Sequence, residues 1–351
     1  MNFWKNLQPS KASSGRMTKR PISVLAPLAD VTDPAFRRII AKYGKPDVMW
    51  TEFVSADGLF KGGYDALVKD LAFTEEERPI VAQFFTSSPE MMKKAAELAC
   101  DLGFDGIDIN MGCPDKSVEK QGAGAAHIKN PILAQEIILS AMEGAKKDGK
   151  NLPVSIKTRI GYNKNELETW LPLLLETNPA LITIHARTRK EMSLVPARWE
   201  HVRRAVEIRD SFVDKNGKKS ETLIFGNGDV ADLKDAKLRA EETGCDGVML
   251  GRAIFGTPYL FSSSYEQLHR ENVEDRRKIL KIMVEHTKLF EELLPHKNFS
   301  IMKKHYKAYV NGWPASPAGG DGAKELRMKL MEAKDANEVS KIIDVYLETL
   351  K

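Results

Sequence analysis

Cysteine is scarce: the 351 residues contain three, Cys100, Cys113 and Cys245. Widely spaced and odd in number, they exclude a disulfide framework and offer no metal-ligand spacing. No metal is therefore expected, and a reducing, cytoplasmic setting is. Also absent is any run of ~18 apolar residues that could span a membrane. The charge bias is slight, with a formal net charge of +4, which alone does not argue for a nucleic-acid partner. The first twenty positions lack acidic residues, and Lys5, Lys11, Arg16, Lys19 and Arg20 stand there without the apolar core of a secretory signal. A disordered basic tail over 1–20 is preferred to an organellar transit peptide, which shares that pattern.

What is present is an ordinary globular composition, 42% apolar and 29% charged. Short β-branched runs alternate with longer stretches of helical periodicity, the signature of repeated βα units around a parallel sheet. Eight strands are predicted, over 22–27, 48–52, 80–84, 106–110, 154–158, 181–185, 223–227 and 247–251. Helices are predicted over 34–43, 89–102, 131–147, 166–176 and 232–243. Pro34, Pro89 and Pro131 fall in first turns, behind Asp33, Ser88 and Asn130 as N-caps. Eight such units make a (β/α)8 barrel over 21–270 the economical fold, with its chemistry at the C-terminal strand ends.

From residue 275 the strands stop, and helical segments over 275–294, 300–310, 322–333 and 336–350 predict a small bundle domain, 275–351. That segment has 15 Lys and Arg against 11 Asp and Glu, the whole formal excess of the chain.

The strand ends are rich in candidate functional groups. Strand four runs Asp108, Ile109, Asn110, Met111, Gly112, Cys113, Pro114. A lone cysteine usually serves packing, but one on a glycine-flanked loop at a strand end can reach a substrate, and its thiol is protonated at neutral pH and able to act as a general acid. Strand five ends in Lys157, Thr158 and Arg159; a lysine facing the barrel mouth calls for an anionic partner. Strand six ends in His185, followed by Arg187. Strands seven and eight end in Asn227, Gly228, Asp229 and in Gly251, Arg252, where glycines let backbone N–H groups approach a phosphate. Small residues, Ala26 to Ala29, close strand one, and Gln83 lies near the end of strand three.

Taken together, these strand ends resemble the tRNA-dihydrouridine synthase family from about Ile22 to Leu350. The run Asp108 to Pro114 carries the resemblance most strongly. Supporting it are Ala26-Pro27-Leu28-Ala29, Thr32-Asp33, Thr51-Glu52, Gln83, Lys157, Ile184-His185-Ala186-Arg187-Thr188, Asn227-Gly228-Asp229 and Gly244 to Arg252. The resemblance implies FMN across the barrel mouth, touched by Pro27, Leu28, Ala29, Gln83, Lys157 and His185, with Asn227, Gly228, Asp229, Gly251 and Arg252 at its phosphate end. It implies a nicotinamide donor, NADPH or NADH, hydride transfer to C6 of a uracil in tRNA, and a proton from Cys113 to C5. Asn110 and Arg187 are implied at the substrate, and the bundle, with Lys303 and Lys304, at the tRNA. No obligatory protein partner is expected. The flavin carries the hydride chemistry while the protein positions and protonates, and the base must leave its stack to be reached.

The sequence departs from the family's commoner pattern at Asp30 and Ala186, where glycine is usual, at His127, and in the loop 190–199 with Met192, Leu194 and Val195. Two rival readings are a flavin-dependent reductase of free pyrimidines, which the basic C-terminus disfavours, and a catalytically silent RNA-binding barrel, which Cys113 and Lys157 disfavour.

Overall fold

The computed structural model describes residues 2–7, 20–262, 268, 272–313 and 322–349. Most of the basic segment at 8–19 thus lies outside the described residues. The chain forms two compact units, one of Met1–Ala29, Asp47–Leu71 and Arg78–Gly251, the other of Asp30–Pro46, Ala72–Glu77 and Arg252–Lys351.

The first unit is an eight-stranded parallel barrel. Its strands are β1 (Ile22–Leu25), β2 (Met49–Ser55), β3 (Ile80–Phe85), β4 (Gly106–Met111), β5 (Val154–Arg159), β6 (Leu181–His185), β7 (Leu223–Asn227) and β8 (Gly247–Leu250). They pair in the order β1-β8-β7-β6-β5-β4-β3-β2. A parallel bridge between Val24 and Val48 brings β1 to the segment leading into β2 and closes the ring. β2 runs three residues beyond the expected 48–52, past an irregularity between Trp50 and Phe53 where it pairs with β3.

Local chemistry sets the helix starts. Ser88 accepts from the Met91 amide and Asn130 from the Leu133 amide, each ahead of a proline that opens its helix, Pro89–Asp101 and Pro131–Gly144. Gly244 ends the helix Leu233–Thr243 in the left-handed conformation. A further helix, Glu200–Ser211, follows β6, where none was predicted. Trp199 precedes it, and its ring occupies the space that a side chain at Gly226 would need, 2.2 Å from the position of such a Cβ.

Against the expectation of a tail from residue 1, Trp4–Leu7 form a helical turn. Trp4 is buried in the apolar cluster with Trp50, Val81, Phe225 and Met249, and its ring meets Phe225 edge-on at 5.5 Å. An aromatic residue that can bury this much surface outweighs the polar residues around it. Lysine count alone misread this turn.

In the second unit, Asp33 caps the helix Pro34–Gly44 by accepting from the Phe36 amide. Arg37 on that helix pairs with Glu77 at 2.7 Å, both fully buried, and donates to the Thr32 and Ala72 carbonyls. Such saturation of a buried guanidinium offsets its desolvation. The C-terminal helices are Val273–Leu293, Met302–Tyr309, Ala323–Glu332 and Ala336–Thr349. His286 stacks on Phe36 at 4.6 Å and meets His305 edge-on at 4.7 Å. Asp30, found where glycine is usual, has φ of 52°; this left-handed position explains the family's glycine, and aspartate is among the residues that tolerate it.

Candidate active site

The site assembles from adjacent strands. In register, Gln83 of β3 lies opposite Asp108 of β4, Asp108 opposite Ser155 of β5, and Asn110 opposite Lys157. Because alternate residues of a strand share a face, Asp108 and Asn110 project together, with Gln83 on one side and Ser155 and Lys157 on the other.

These side chains form a continuous polar network. Gln83 Nε2 donates to Asp108 at 2.5 Å, Ser155 Oγ donates to the other carboxylate oxygen at 2.5 Å, and Asn110 Nδ2 donates to Gln83 Oε1 at 3.0 Å. Asn110 Oδ1 in turn accepts from the Gly112 and Cys113 amides at 3.2 and 2.9 Å. The loop bearing Cys113 is fixed from its other side too. Arg159 Nε donates to the Gly112 carbonyl at 2.7 Å, and the Ala125 amide donates to the Cys113 carbonyl at 3.0 Å. Gly124 has φ of 62°, and a Cβ there would come within 2.7 Å of the Cys113 carbonyl oxygen, so glycine is required for this close approach.

Electrostatics follow from burial. Cys113 is half-buried, and desolvation pushes its thiol above the ordinary range, opposed by Lys157 and Arg159. Its proton is therefore held at neutral pH. Lys157 is pushed down to about 8 by burial and by Arg159. Among the described residues Lys157 makes no ion pair or hydrogen bond. Burial raises Asp108 to about 6, against the opposing pull of Ser155, Gln83 and Lys157. Arg159 falls to about 10 by burial and stays charged at neutral pH, its Nη1 donating to the Thr188 and Met192 carbonyls. Met192, with φ of 50°, thereby ties the unusual loop after β6 to this cluster.

At the ends of β6 and β7 a second group forms. Arg187 pairs with Asp229, donates to the Val195 carbonyl at 2.6 Å, and places Nη1 3.1 Å from His185 Nε2. A guanidinium only donates, so His185 Nε2 accepts and Nδ1 carries the proton. Asn227 Nδ2 donates to the Met249 carbonyl at 2.8 Å. Gly228 has φ of 127°, and a side chain there would press on Ala197 and His185.

The expected residues thus separate into groups. Cys113, Gln83, Asn110 and Lys157 come together around β3 to β5; His185, Arg187, Asn227, Gly228 and Asp229 gather at β6 and β7. Pro27, Leu28 and Ala29 follow β1, and Gly251 follows β8. Arg252, Lys303 and Lys304 belong to the second unit, Arg252 in the turn Arg252–Ile254 and the lysines on the helix Met302–Tyr309. Arg187 and Asp229, expected at substrate and phosphate respectively, hold each other.

Sequence reasoning gave no role to Asp108, Ser155 or Arg159. The available signal was a charged or polar residue facing the interior of an otherwise apolar strand, which is costly without partners. Ala186 and His127 are both fully buried, and His127 Nδ1 lies 3.0 Å from the Gly124 carbonyl. His127 is therefore packed beside the Cys113 loop.

The family model described as Dihydrouridine synthase matches residues 24–350. The chain belongs to the dihydrouridine synthase family. It is 37% identical over 346 residues to the probable tRNA-dihydrouridine synthase 2 of Bacillus subtilis (strain 168), covering 98% of this chain and 96% of that relative. It is 35% identical over 349 residues to the probable tRNA-dihydrouridine synthase of Staphylococcus aureus (strain COL), covering 98% and 95%. A solved 2-naphthoyl-CoA reductase structure aligns with a TM-score of 0.51 at 13% identity, over 70% of this chain and 50% of that one, a likeness of fold alone. In this family member the resemblance first carried by the Asp108 to Pro114 run extends over nearly the whole chain.

The residues present fit a flavin. The half-buried ammonium of Lys157, which makes no ion pair or hydrogen bond among the described residues and feels the Asp108 carboxylate only through the field, suits the region of the ring where negative charge accumulates on reduction. No helix of the described residues is long and apolar enough to cross a membrane, and no cluster of three or more His, Cys, Asp or Glu among them could hold a metal ion.

Proposed function

We propose that the protein reduces uridine in tRNA to 5,6-dihydrouridine, with FMN as cofactor and NADPH, or NADH, as electron source. The observation that carries this reading is that Lys157 of β5, in register with Asn110 of β4, acts electrostatically on the thiol of Cys113 just past β4, in a member of the dihydrouridine synthase family. The named relatives support tRNA as the substrate. A cytoplasmic location suits three free cysteines.

Pro27, Leu28, Ala29, Gln83, Lys157 and His185 would hold the flavin ring, and Asn227, Gly228 and Gly251 its phosphate end. Asp229 would act there by orienting Arg187. When bound, this cofactor supplies the hydride that enters C6 of the pyrimidine. Cys113 gives the proton that enters C5, which completes the two-hydrogen reduction. Burial keeps that thiol protonated until the carbanionic carbon demands it. The thiolate left behind lies in the field of Lys157 and Arg159, both of which favour it. Asn110 fixes the loop and offers its remaining amide hydrogen to the extruded base. Lys303 and Lys304 of the second unit would meet RNA phosphates, consistent with the basic excess of that region.

The test is NADPH oxidation by the FMN-loaded protein with either tRNA or free uracil as acceptor. Oxidation dependent on tRNA supports the proposal. Turnover of uracil with no change in tRNA favours the free-pyrimidine reductase, and a protein that does not bind FMN favours a silent RNA-binding barrel.

A further inference from the structure

The barrel interior of such folds is filled mainly by branched apolar side chains, yet here Asp108, Gln83 and Ser155 are each no more than 1% exposed. Buried polar groups of this kind are costly unless every member has a partner. Their arrangement has a direction that apolar packing would not supply.

We propose that Asp108 is a positioning residue for Cys113: by accepting from Gln83 it fixes the sense of two successive side-chain amides, so that Asn110 presents oxygen to the Gly112 and Cys113 amides. The reasoning starts from the carboxylate, which only accepts when ionised. At neutral pH Asp108 is mainly in that form, since burial raises it only to about 6. Gln83 must therefore turn Nε2 toward Asp108, which leaves Oε1 to face Asn110. Asn110 must then present Nδ2 to Gln83, which leaves Oδ1 for the two loop amides.

The two ends of a side-chain amide are nearly alike in shape, so packing does not choose between them; their partners do. Were Gln83 reversed, its oxygen would face the carboxylate and its nitrogen the Asn110 nitrogen. A reversed Asn110 would in turn set an NH2 group against the amides of Gly112 and Cys113. The chain from Asp108 to the cysteine loop thus holds as a unit, with no contact between Asp108 and the thiol required.

Replacement of Asp108 by asparagine separates direction from charge. Ser155 Oγ lies 3.1 Å from the Ile107 carbonyl as well as 2.5 Å from Asp108. In Asp108→Asn the hydroxyl can donate to Ile107 and accept from the new NH2 group. The asparagine oxygen then still faces Gln83, and the sense of the chain survives without the negative charge. Leucine abolishes it.

The inference rests on the reading of Cys113 as the acid, but its test does not require tRNA. Cys100 and Cys245 are buried, so site-resolved iodoacetamide alkylation of the FMN-loaded full chain, followed by peptide mass spectrometry, isolates Cys113. Loss of the loop's hydrogen-bond support in Asp108→Leu should change the Cys113 alkylation rate by at least about fivefold, with Asp108→Asn within about twofold of the parent. Dihydrouridine formation should follow the same order. Parental Cys113 reactivity in folded Asp108→Leu would overturn the proposal, as would an Asn variant altered as much as the Leu variant. If Asp108→Leu does not fold, Asp108→Ala removes the same acceptor with a smaller side chain and must give the same change, parental reactivity again overturning it. The split between Leu and Asn variants without tRNA reduction would sink the proposed function and leave the positioning role standing.

Discussion

Arg187, fully covered at the end of β6, is held by Asp229 at the end of β7, and the same guanidinium reaches the ring of His185. One cation thus sets the tautomer of the histidine that ends β6 and draws on a carboxylate just past β7. Asp229→Asn should leave Arg187 without its charge partner and cost about 1–2 kcal/mol, moderated by the partial exposure of Asp229. FMN retention during gel filtration should fall in the variant, and equal retention would remove this pair from the cofactor site.

Cys113→Ala should bind FMN and be reduced by NADPH as the parent is, because the thiol is not required for either step. Product formation should drop by about 100-fold or more, the usual contribution of a positioned general acid. Parental dihydrouridine yield would take Cys113 out of the mechanism.

Lys157 is lowered by burial to about 8, so its ammonium is lost as pH rises through that value. Flavin binding that uses this charge should weaken above pH 8, by up to about tenfold per pH unit. Lys157→Met should bind more weakly near neutrality and lose the pH dependence. A titration followed by flavin fluorescence distinguishes these curves; an unchanged slope in the Met variant would contradict the assignment.

His286 and His305 are neutral when folded, since burial lowers His286 to about 3 and His305 well below its usual value. The unfolded chain takes up their protons from pH 6.5 downward, so stability is complete above that pH and declines below it. By pH 5 each such proton costs about 2 kcal/mol. Phe36, Phe255 and Tyr309 pack around the pair, Lys304 adds an unfavourable charge at His305, and Glu285, Tyr43 and Tyr306 act on Tyr309 beside it. Denaturant unfolding at pH 7 and pH 5 should show the loss, and His286→Phe should reduce it; equal stability at both pH values would contradict it.

Trp4 fills the apolar cluster of the barrel and is 1% exposed. Trp4→Ala should destabilise the barrel by about 3–5 kcal/mol, measurable by thermal unfolding. A change below about 1 kcal/mol would show that the N-terminal turn adds little.

Much of the fold was legible because local signals agreed with it: β6 and β7 match their predicted limits, Ser88 and Asn130 cap proline-led helices of the first unit, and Asp33 caps one of the second. Glu200–Ser211 went unpredicted, as its charged sequence weakens the apolar periodicity. Trp4–Leu7 was hidden by the basic residues beyond it. Cys113, Lys157 and Asn110 could be read from strand ends, but the Asp108 network could not, since register between β3, β4 and β5 brings its members together from positions far apart in sequence. The Arg187–Asp229 pair escaped for the same reason.

The central claim is most directly tested by mass spectrometry of nucleosides from tRNA that lacks dihydrouridine, after incubation with the FMN-loaded protein and NADPH. The account predicts a uridine-derived nucleoside heavier by two hydrogens, formed with the parent and nearly lost with Cys113→Ala. Unmodified tRNA, from a protein that is flavin-loaded and reducible by NADPH, would contradict it.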